Sequence, residues 1–323
     1  MRIVFMGTPE FAVPSLRSLH EAGHDVSLVV TQPDRPAGRG RKLRAPAVKA
    51  AALELGLPVE QYESVNTAEF TQRLGALRPD LLVVVAFGQI LKQGLLDVPT
   101  SGAVNVHASL LPAYRGTSPI NWVIVNGEAE TGVTTMFMAG KVDAGEIILK
   151  RKTPIGDMET AGELSDRLAT LGAALLVETV ALIERGEAPR APQNPDESSY
   201  VRKLRKSDGE IDWSEPARGV LDRIRGMTPW PGAYTWYKGR ALRVERAEPG
   251  SSGPAGAPSA AGGGRPRPGE ILSLDEGAIE VAAGDGAVRL LEVRPEGKGS
   301  MSADAFVRGY RPEVGTRPFA KEA

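Results

Sequence analysis

Residues 103–121 read AVNVHASLLPAYRGTSPIN, and Asn105 and His107 stand two apart in a short β-rich run. Side chains at i and i+2 of a strand share one face. Asn offers a neutral hydrogen-bond donor; His offers a donor that can also move a proton near neutral pH. Two such donors suit an oxygen that gains negative charge in a tetrahedral intermediate. Further on, Lys141-Val142-Asp143-Ala144-Gly145-Glu146 puts Asp143 in a tight loop between two strand-like runs. Asn105, His107 and Asp143 at one sheet edge would form a catalytic set. Spacing alone equally allows a structural His at a strand end and an ordinary Asp in a turn.

Few other reactive groups are on offer. The 323-residue chain has no cysteine and three histidines, His20, His24 and His107. Disulfides, thiolate metal sites and a Cys nucleophile are excluded, as is a His-rich metal cage. His20 and His24 fall at the end of the first predicted helix, where capping or surface roles suffice. His107 is then the one imidazole left for proton transfer. The start MRIVFMGTPEF carries no signal-peptide core, and no apolar run reaches the roughly 18 residues that span a bilayer. A cytoplasmic protein without membrane contact is expected.

These residues need a scaffold. Strand signals at Arg2–Met6, Val26–Thr31, Asp80–Ala86, Ala103–His107, Gly132–Met138 and Ile147–Lys150 alternate with helix signals at 9–22 and 46–55. The continuous apolar run DLLVVVA is typical of a strand buried on both faces. The pattern predicts an α/β, Rossmann-like, doubly wound and mostly parallel sheet, with a crevice at the carboxyl ends of its strands. The turn Gly7-Thr8-Pro9 lacks the GxGxxG fingerprint, so no dinucleotide is expected. A long amphipathic helix is predicted over 160–186. This first domain spans 1–187, and a Pro-rich polar linker follows over 188–207. A second domain, 208–323, shows a helix at 215–226 and strands at 233–237, 241–247, 270–274, 278–283 and 287–293. They predict a small OB-like β-barrel. Its stretch 249–268 is low in complexity and is expected to be a mobile loop.

The net charge of −1 hides two basic patches. Residues 31–49 hold six basic residues against one acidic, and residues 217–246 hold seven against two, so each carries +5. The stretch Pro33–Ala45 is too long for an ordinary strand–helix connection. Its Arg39, Arg41, Lys42 and Arg44 could neutralise phosphates, with Gly38 and Gly40 keeping it mobile. Trp213, Trp230, Trp236 and Tyr237 lie near the second patch, where core packing is the simpler role.

The segments NVHASLLPAYRG, VDAGE and VVVAFGQIL resemble the folate-dependent formyltransferase family. MRIVFMGTPEFAVPSL, TQPDRPAGRGRK, ETGVTTMFM, IDWS and TPWPGAYT extend the likeness to the branch that formylates methionyl initiator tRNA, over nearly all the chain outside 249–268. The resemblance implies that a formyl group passes from 10-formyltetrahydrofolate to the α-amine of methionine on that tRNA, with no metal. Asn105 and His107 would then donate to the tetrahedral oxyanion. Asp143 would help relay a proton, through water, to the departing N10. Phe87, Gly88, Gln89, Ile90 and Leu91, with the turn Ser109, Leu110, Leu111 and Pro112, would line the folate site. Arg35, Arg39, Arg41, Lys42 and Arg44 would bind tRNA, and Phe11 would help house the methionine side chain. A monomer is expected. Phe87 stands where the family more often has Tyr, and Glu146 where it more often has Asp; neither removes a required group. Another formyltransferase or hydrolase acting on a small molecule would share Asn105, His107 and Asp143, but would not explain the basic stretch. A non-catalytic tRNA- or folate-binding protein is disfavoured, because no group needed for the chemistry is missing.

Overall fold

Arg2–Gly7 (β1) buries every residue after Arg2, and its side chains alternate between two helical layers. The computed structural model describes residues 1–37, 42–250, 266–275 and 277–319. They form two compact units: Met1–Pro119 with Glu130–Pro154 and Ser165–Val201, and Ile120–Ala129 with Ile155–Leu164 and Arg202–Ala323. After β1 come α1 (Val13–Glu21), β2 (Asp25–Thr31), a short pair β3 (Arg35–Ala37) and β4 (Lys42–Arg44), and α2 (Ala47–Glu54). Then follow β5 (Val59–Gln61), α3 (Ala68–Leu77), β6 (Leu81–Val85), α4 (Gln93–Leu96) and β7 (Ala103–His107). The chain continues through β8 (Arg115–Gly116), α5 (Pro119–Val125), β9 (Glu130–Phe137), β10 (Ile147–Pro154), α6 (Ala161–Glu184) and β11 (Tyr200–Val201).

The first unit is built on a seven-stranded sheet in the order β10-β9-β7-β6-β1-β2-β5. Strands β7, β6, β1, β2 and β5 run parallel, and β9 runs antiparallel to both neighbours. Ile3 and Phe5 pack with Leu16, Val48 and Leu176 of α1, α2 and α6. Val4 and Met6 pack on the other face with Phe70 and Leu74 of α3 and with Leu95 and Leu96 of α4. That alternation is the doubly wound sandwich expected.

Three local details depart from the sequence reading. The first helix begins as a 3-10 turn at Glu10–Ala12 and becomes α-helical only at Val13. A helix from Pro9 onward would put Pro14 in its interior, where the missing N–H breaks a bond; starting at Val13 puts Pro14 in the first turn. Strand β5 and helices α3 and α4 had no counterpart in the reading. The α3 start is marked by Thr67, whose hydroxyl accepts from the Phe70 amide at 3.1 Å. Third, the Pro-rich stretch read as a linker divides between the units. Up to Val201 it belongs with the first, where Tyr200–Val201 pairs in parallel with Arg115–Gly116.

The second unit holds α7 (Ala217–Gly226), β12 (Tyr234–Tyr237), β13 (Arg240–Pro249), β14 (Ile271–Ser273), β15 (Ile279–Ala282), β16 (Ala287–Pro295), β17 (Met301–Ser302) and α8 (Ala303–Tyr310). Its antiparallel sheet runs β12-β13-β16-β15-β14, with β17 on β16. β12 and β14 do not pair, so the barrel expected here is an open, curled form. Val244, Val281, Val288, Leu290 and Phe306 fill it. Trp213 and Tyr237 belong to this core, and the Trp213 Nε1 donates to Thr235 Oγ1 at 3.0 Å, whereas Trp230 is 51% exposed. Of the low-complexity stretch 249–268, residues 251–265 lie outside the described residues. No helix among the described residues is long and apolar enough to cross a membrane.

A carboxylate anchors the entry to this unit. Buried Asp208 accepts from Arg202 Nη1 and Nη2 at 2.8 and 2.6 Å and from the Arg205 amide at 2.7 Å. The Arg202 guanidinium, donating to it, holds the Asp208 carboxyl below the usual range. A carboxylate depressed in the folded state adds stability that is complete above its unfolded pKa and is lost as pH falls through the folded one. Asp208→Asn is expected to cost about 1–2 kcal/mol at pH 7, a value reduced because Arg202 is half exposed. Urea midpoints of variant and parent should converge on acidification; a constant gap would show that the charge is not what matters.

Candidate active site

Strand β7 sets the site by facing two ways. Val106 lies over Gly172 of α6, and Thr135, opposite Val106 on β9, shares a 2.7 Å hydroxyl contact with Thr179 of the same helix. Asn105 and His107 therefore point to the other face, alongside Met136 and Thr134. His107 is 6% exposed. Its Nε2 lies 2.9 Å from the Tyr114 carbonyl oxygen. A carbonyl only accepts, so Nε2 carries the proton. Nδ1 then faces Asp143, 3.6 Å from Oδ2. The same Oδ2 accepts from the Gly116 amide at 2.9 Å.

Asp143 arrives by a route that parallel strands would not offer. Because β9 is antiparallel to β7, it ends beside the start of β7, with Phe137 opposite Val104 and the Met138 amide donating to Ala103 at 2.8 Å. The loop over 138–146 thus leaves from the far end of the sheet and doubles back to reach His107. Asp143 takes φ +50° there, a left-handed conformation that Asp tolerates better than most residues. Asn105 is half-buried, and among the described residues its side-chain amide has no hydrogen-bond partner. An open amide thus shares a strand face with an imidazole engaged by a carbonyl and a carboxylate.

Several groups that shape this cluster were absent from the sequence reading. The Tyr114 carbonyl and Gly116 amide lie in the turn after β7. Gln193, in the Pro-rich stretch, donates to the carbonyls of Asp143 and Gly145. A backbone partner leaves no residue-type signature, and the stretch around Gln193 has no periodicity.

The residues expected at the folate site fall into two groups. Ser109, Leu111 and Pro112 are buried. The Ser109 hydroxyl donates to the Ala113 carbonyl at 2.7 Å, and Thr134 Oγ1 donates to Ser109 O at 2.6 Å while accepting from the Leu111 amide at 3.1 Å. These residues build the turn, and Leu110 beside them is half-buried. In the loop after β6, Phe87 and Leu91 are buried, and the Phe87 carbonyl accepts from Thr8 Oγ1 and Gln32 Nε2 at 3.0 and 3.4 Å. The Gln89 side chain bonds the backbone of Val65, Tyr62 and Glu63. Gly88 takes φ +87°, and Ile90 is 70% exposed. Among the described residues the amides of Gly88, Gln89 and Ile90 have no partner. This loop follows β6, the parallel neighbour of β7, so it emerges at the end of the sheet where His107 lies.

Of the basic stretch, residues 38–41, with Gly38 and Gly40, lie outside the described residues, and the parts on either side are paired. β3 and β4 form an antiparallel stem, with Arg35 opposite Arg44. Its root is clamped: Lys49 Nζ donates to both Asp34 oxygens at 2.9 and 3.0 Å and to Gln61 Oε1 at 2.7 Å. Lys49 and Gln61, donating to Asp34, hold its carboxyl below the usual range. Arg35 pairs with Glu63 at 2.7 Å. Arg44 and Leu43 are exposed; Arg39, Arg41 and the Lys42 side chain lie outside the described residues. Phe11 is half-buried in the 3-10 turn after β1, against the core. In the second basic patch, Arg218 and Arg225 pair with Asp222, Arg223 pairs with Glu215, and Arg243 donates to the Pro231 carbonyl. Three of the seven cations of that patch are thus tied to carboxylates, Arg218 and Arg225 sharing Asp222.

The family described as "Formyl transferase" matches residues 1–180, and its "Formyl transferase, C-terminal domain" matches residues 203–311. A methionyl-tRNA formyltransferase of Citrifermentans bemidjiense is 49% identical over 98% of this chain and 95% of its own. One from Moorella thermoacetica is 48% identical over 96% of each. Among solved structures, the sugar 3N-formyl transferase WlaRD, determined in the presence of dTDP and 5-N-formyl-THF, aligns with a TM-score of 0.67 at 17% identity, covering 93% of this chain and 99% of that one. That last likeness bears on the fold alone. Two relatives near half identity, matched from end to end, and a family match over both units settle the lineage: the chain belongs to the formyltransferase family, in the branch of the methionyl-tRNA formyltransferases.

Proposed function

We propose that this chain transfers the formyl group of 10-formyltetrahydrofolate to the α-amine of methionine carried by initiator tRNA. The observation that carries the chemistry is the face of β7, where the unpartnered Asn105 amide stands beside a His107–Asp143 pair. The neutral amine attacks the formyl carbon and the carbonyl oxygen becomes an oxyanion. Asn105 donates to that oxygen. His107, whose Nε2–H donates to the Tyr114 carbonyl, presents Nδ1 as the proton acceptor, with the Asp143 carboxylate 3.6 Å from it. The pair accepts the amine's proton and returns one to the departing N10, which leaves as tetrahydrofolate. The folate fits the loop after β6: the unpaired amides of Gly88, Gln89 and Ile90 suit the planar acceptor edge of a pterin, and exposed Ile90 suits its ring.

The β3–β4 hairpin takes the tRNA. The decisive experiment supplies 10-formyltetrahydrofolate with charged initiator tRNA, charged elongator tRNA or a nucleotide-linked amino sugar. Formylation of the initiator tRNA alone is expected; formylation of the sugar instead would replace this reading with the small-molecule one. Changing Arg39, Arg41 and Lys42 together to Ala should weaken tRNA binding and flatten the dependence of log affinity on log salt by about 2–3 in slope, near one for each phosphate that is no longer neutralised. An unchanged slope would remove Arg39, Arg41 and Lys42 from the interface.

A further inference from the structure

The loop that carries Asp143 is gripped by one side chain whose orientation leaves no freedom. Gln193 Nε2 donates to the carbonyl of Asp143 at 3.0 Å and to that of Gly145 at 2.7 Å. Its Oε1 accepts from Arg115 Nε and Nη2 at 3.1 and 2.7 Å. A guanidinium can only donate, so the atom facing Arg115 must be oxygen, and the NH2 must face the two carbonyls. Arg115 is itself 6% exposed and is fixed by the Tyr200 hydroxyl at 2.9 Å and by the β8–β11 pairing. The neighbouring amide of Gly116 holds the Asp143 carboxylate. Backbone and side chain of Asp143 are thus held from one rigid piece, β8 with the stretch ending in β11.

That grip bears on geometry that would otherwise relax. Asp143 is at φ +50°, a left-handed conformation that even Asp adopts mainly where neighbouring groups hold it. Without the two bonds from Gln193, the backbone could return to an ordinary conformation and carry the carboxylate away from His107.

We infer that Gln193 is a positioning residue for formyl transfer: its amide, oriented by Arg115, holds the Asp143 backbone so that the carboxylate stays at His107 Nδ1. Gln193 acts through Asp143 and touches no substrate. The inference rests on the proton-handling role proposed for Asp143.

The test uses the full-length protein and compares Gln193→Ala, Gln193→Glu, Asp143→Asn and the double variant Asp143→Asn/Gln193→Ala. Gln193→Glu keeps the size and the contact with Arg115 but cannot donate to either carbonyl, so it covers the case in which Gln193→Ala fails to fold. Both Gln193 variants are expected to lose about 10- to 100-fold in kcat, within the range given by misplacing a catalytic group by an ångström. KM for the folate and for charged tRNA should change less than about threefold, because uniform binding is untouched. In the Asp143→Asn background, Gln193→Ala should cost almost nothing further. Full loss in Asp143→Asn with normal kcat in Gln193→Glu would overturn the positioning role alone. Independent, multiplying losses would do the same. Normal kcat in Asp143→Asn would overturn the role of Asp143 and this inference with it.

Discussion

Asn105→Ala is expected to lower kcat and kcat/KM together by about 100- to 1,000-fold, the usual loss for one oxyanion donor. Equal losses in the two parameters mark an interaction made only as charge develops. The fold should not suffer. The amide has no partner among the described residues, and β7 is held by its backbone ladders to β6 and β9. The unfolding midpoint should therefore stay within about 0.5 kcal/mol of the parent, as for substitutions away from packed or bonded groups. Asn105→Asp is the sharper control, since it keeps the size and replaces a donor with a charged acceptor. It should be at least as damaging as the truncation. Single-turnover formylation with both variants at saturating folate reads the chemical step directly. Near-normal rates would take Asn105 out of the site.

The second large effect is expected at Gly145. A Cβ there would overlap the Phe137 carbonyl oxygen and press on the Phe137 carbonyl carbon at 2.9 Å. The Phe137 amide donates to the Glu146 carbonyl at 2.9 Å, so the loop cannot yield without opening the β9–β10 pair at its closed end. Gly145→Ala should cost at or above the upper end of the about 1–3 kcal/mol typical of overpacking. The same shift would drag Asp143, two residues away, off His107, so surviving folded protein should be slow. Gly140→Ala in the same loop meets only the Gln93 amide oxygen at 3.6 Å and should be tolerated. Urea unfolding and kcat for the pair separate the close approach from a general intolerance of the loop. Equal behaviour of the two variants would show that the close approach to Phe137 is not limiting.

What could be read from the residues, and what could not, divides along physical lines. The strand at Asp80–Ala86 announces itself because a strand buried on both faces needs an unbroken apolar run, and a helix of that length would not be bounded so closely by turns; Arg2–Met6 and Ala103–His107 show as short β-rich runs closed by turns. The five short strands of the second unit follow from their alternation and their turns. Asn105 and His107 were legible as a pair because period two is a property of one strand. Asp143 was legible as a residue, but not the direction of its approach, because nothing in ETGVTTMFM shows that β9 runs against β7. The hairpin stem hid because its strands are three residues each and its clamp, Asp34–Lys49–Gln61, is spread over a connection, a helix and a strand far apart in the chain. Gln193 hid for a related reason: it bonds carbonyls, which every residue has.

The two ends of the seven-stranded sheet bear on how the molecule tolerates crowding. Strand β5 is three residues long, too short to template another chain, and β10 is the other boundary. The first residue of β10 is already occupied by the bridge from Ile147 to Ala191. Beyond it, Lys150 and Lys152 are exposed, Arg151 lies between them, and Pro154 closes the strand without an N–H to offer. Lys152 pairs with Glu130 and Arg151 with Glu178, both at 2.7 Å. A second copy approaching edge to edge would meet these charged, already paired side chains, Lys150, which has no ion pair among the described residues, and a strand end with no N–H to offer. The scaffold that aims Asn105 and His107 thus ends in edges whose charges and closing proline are features that discourage sheet-to-sheet pairing.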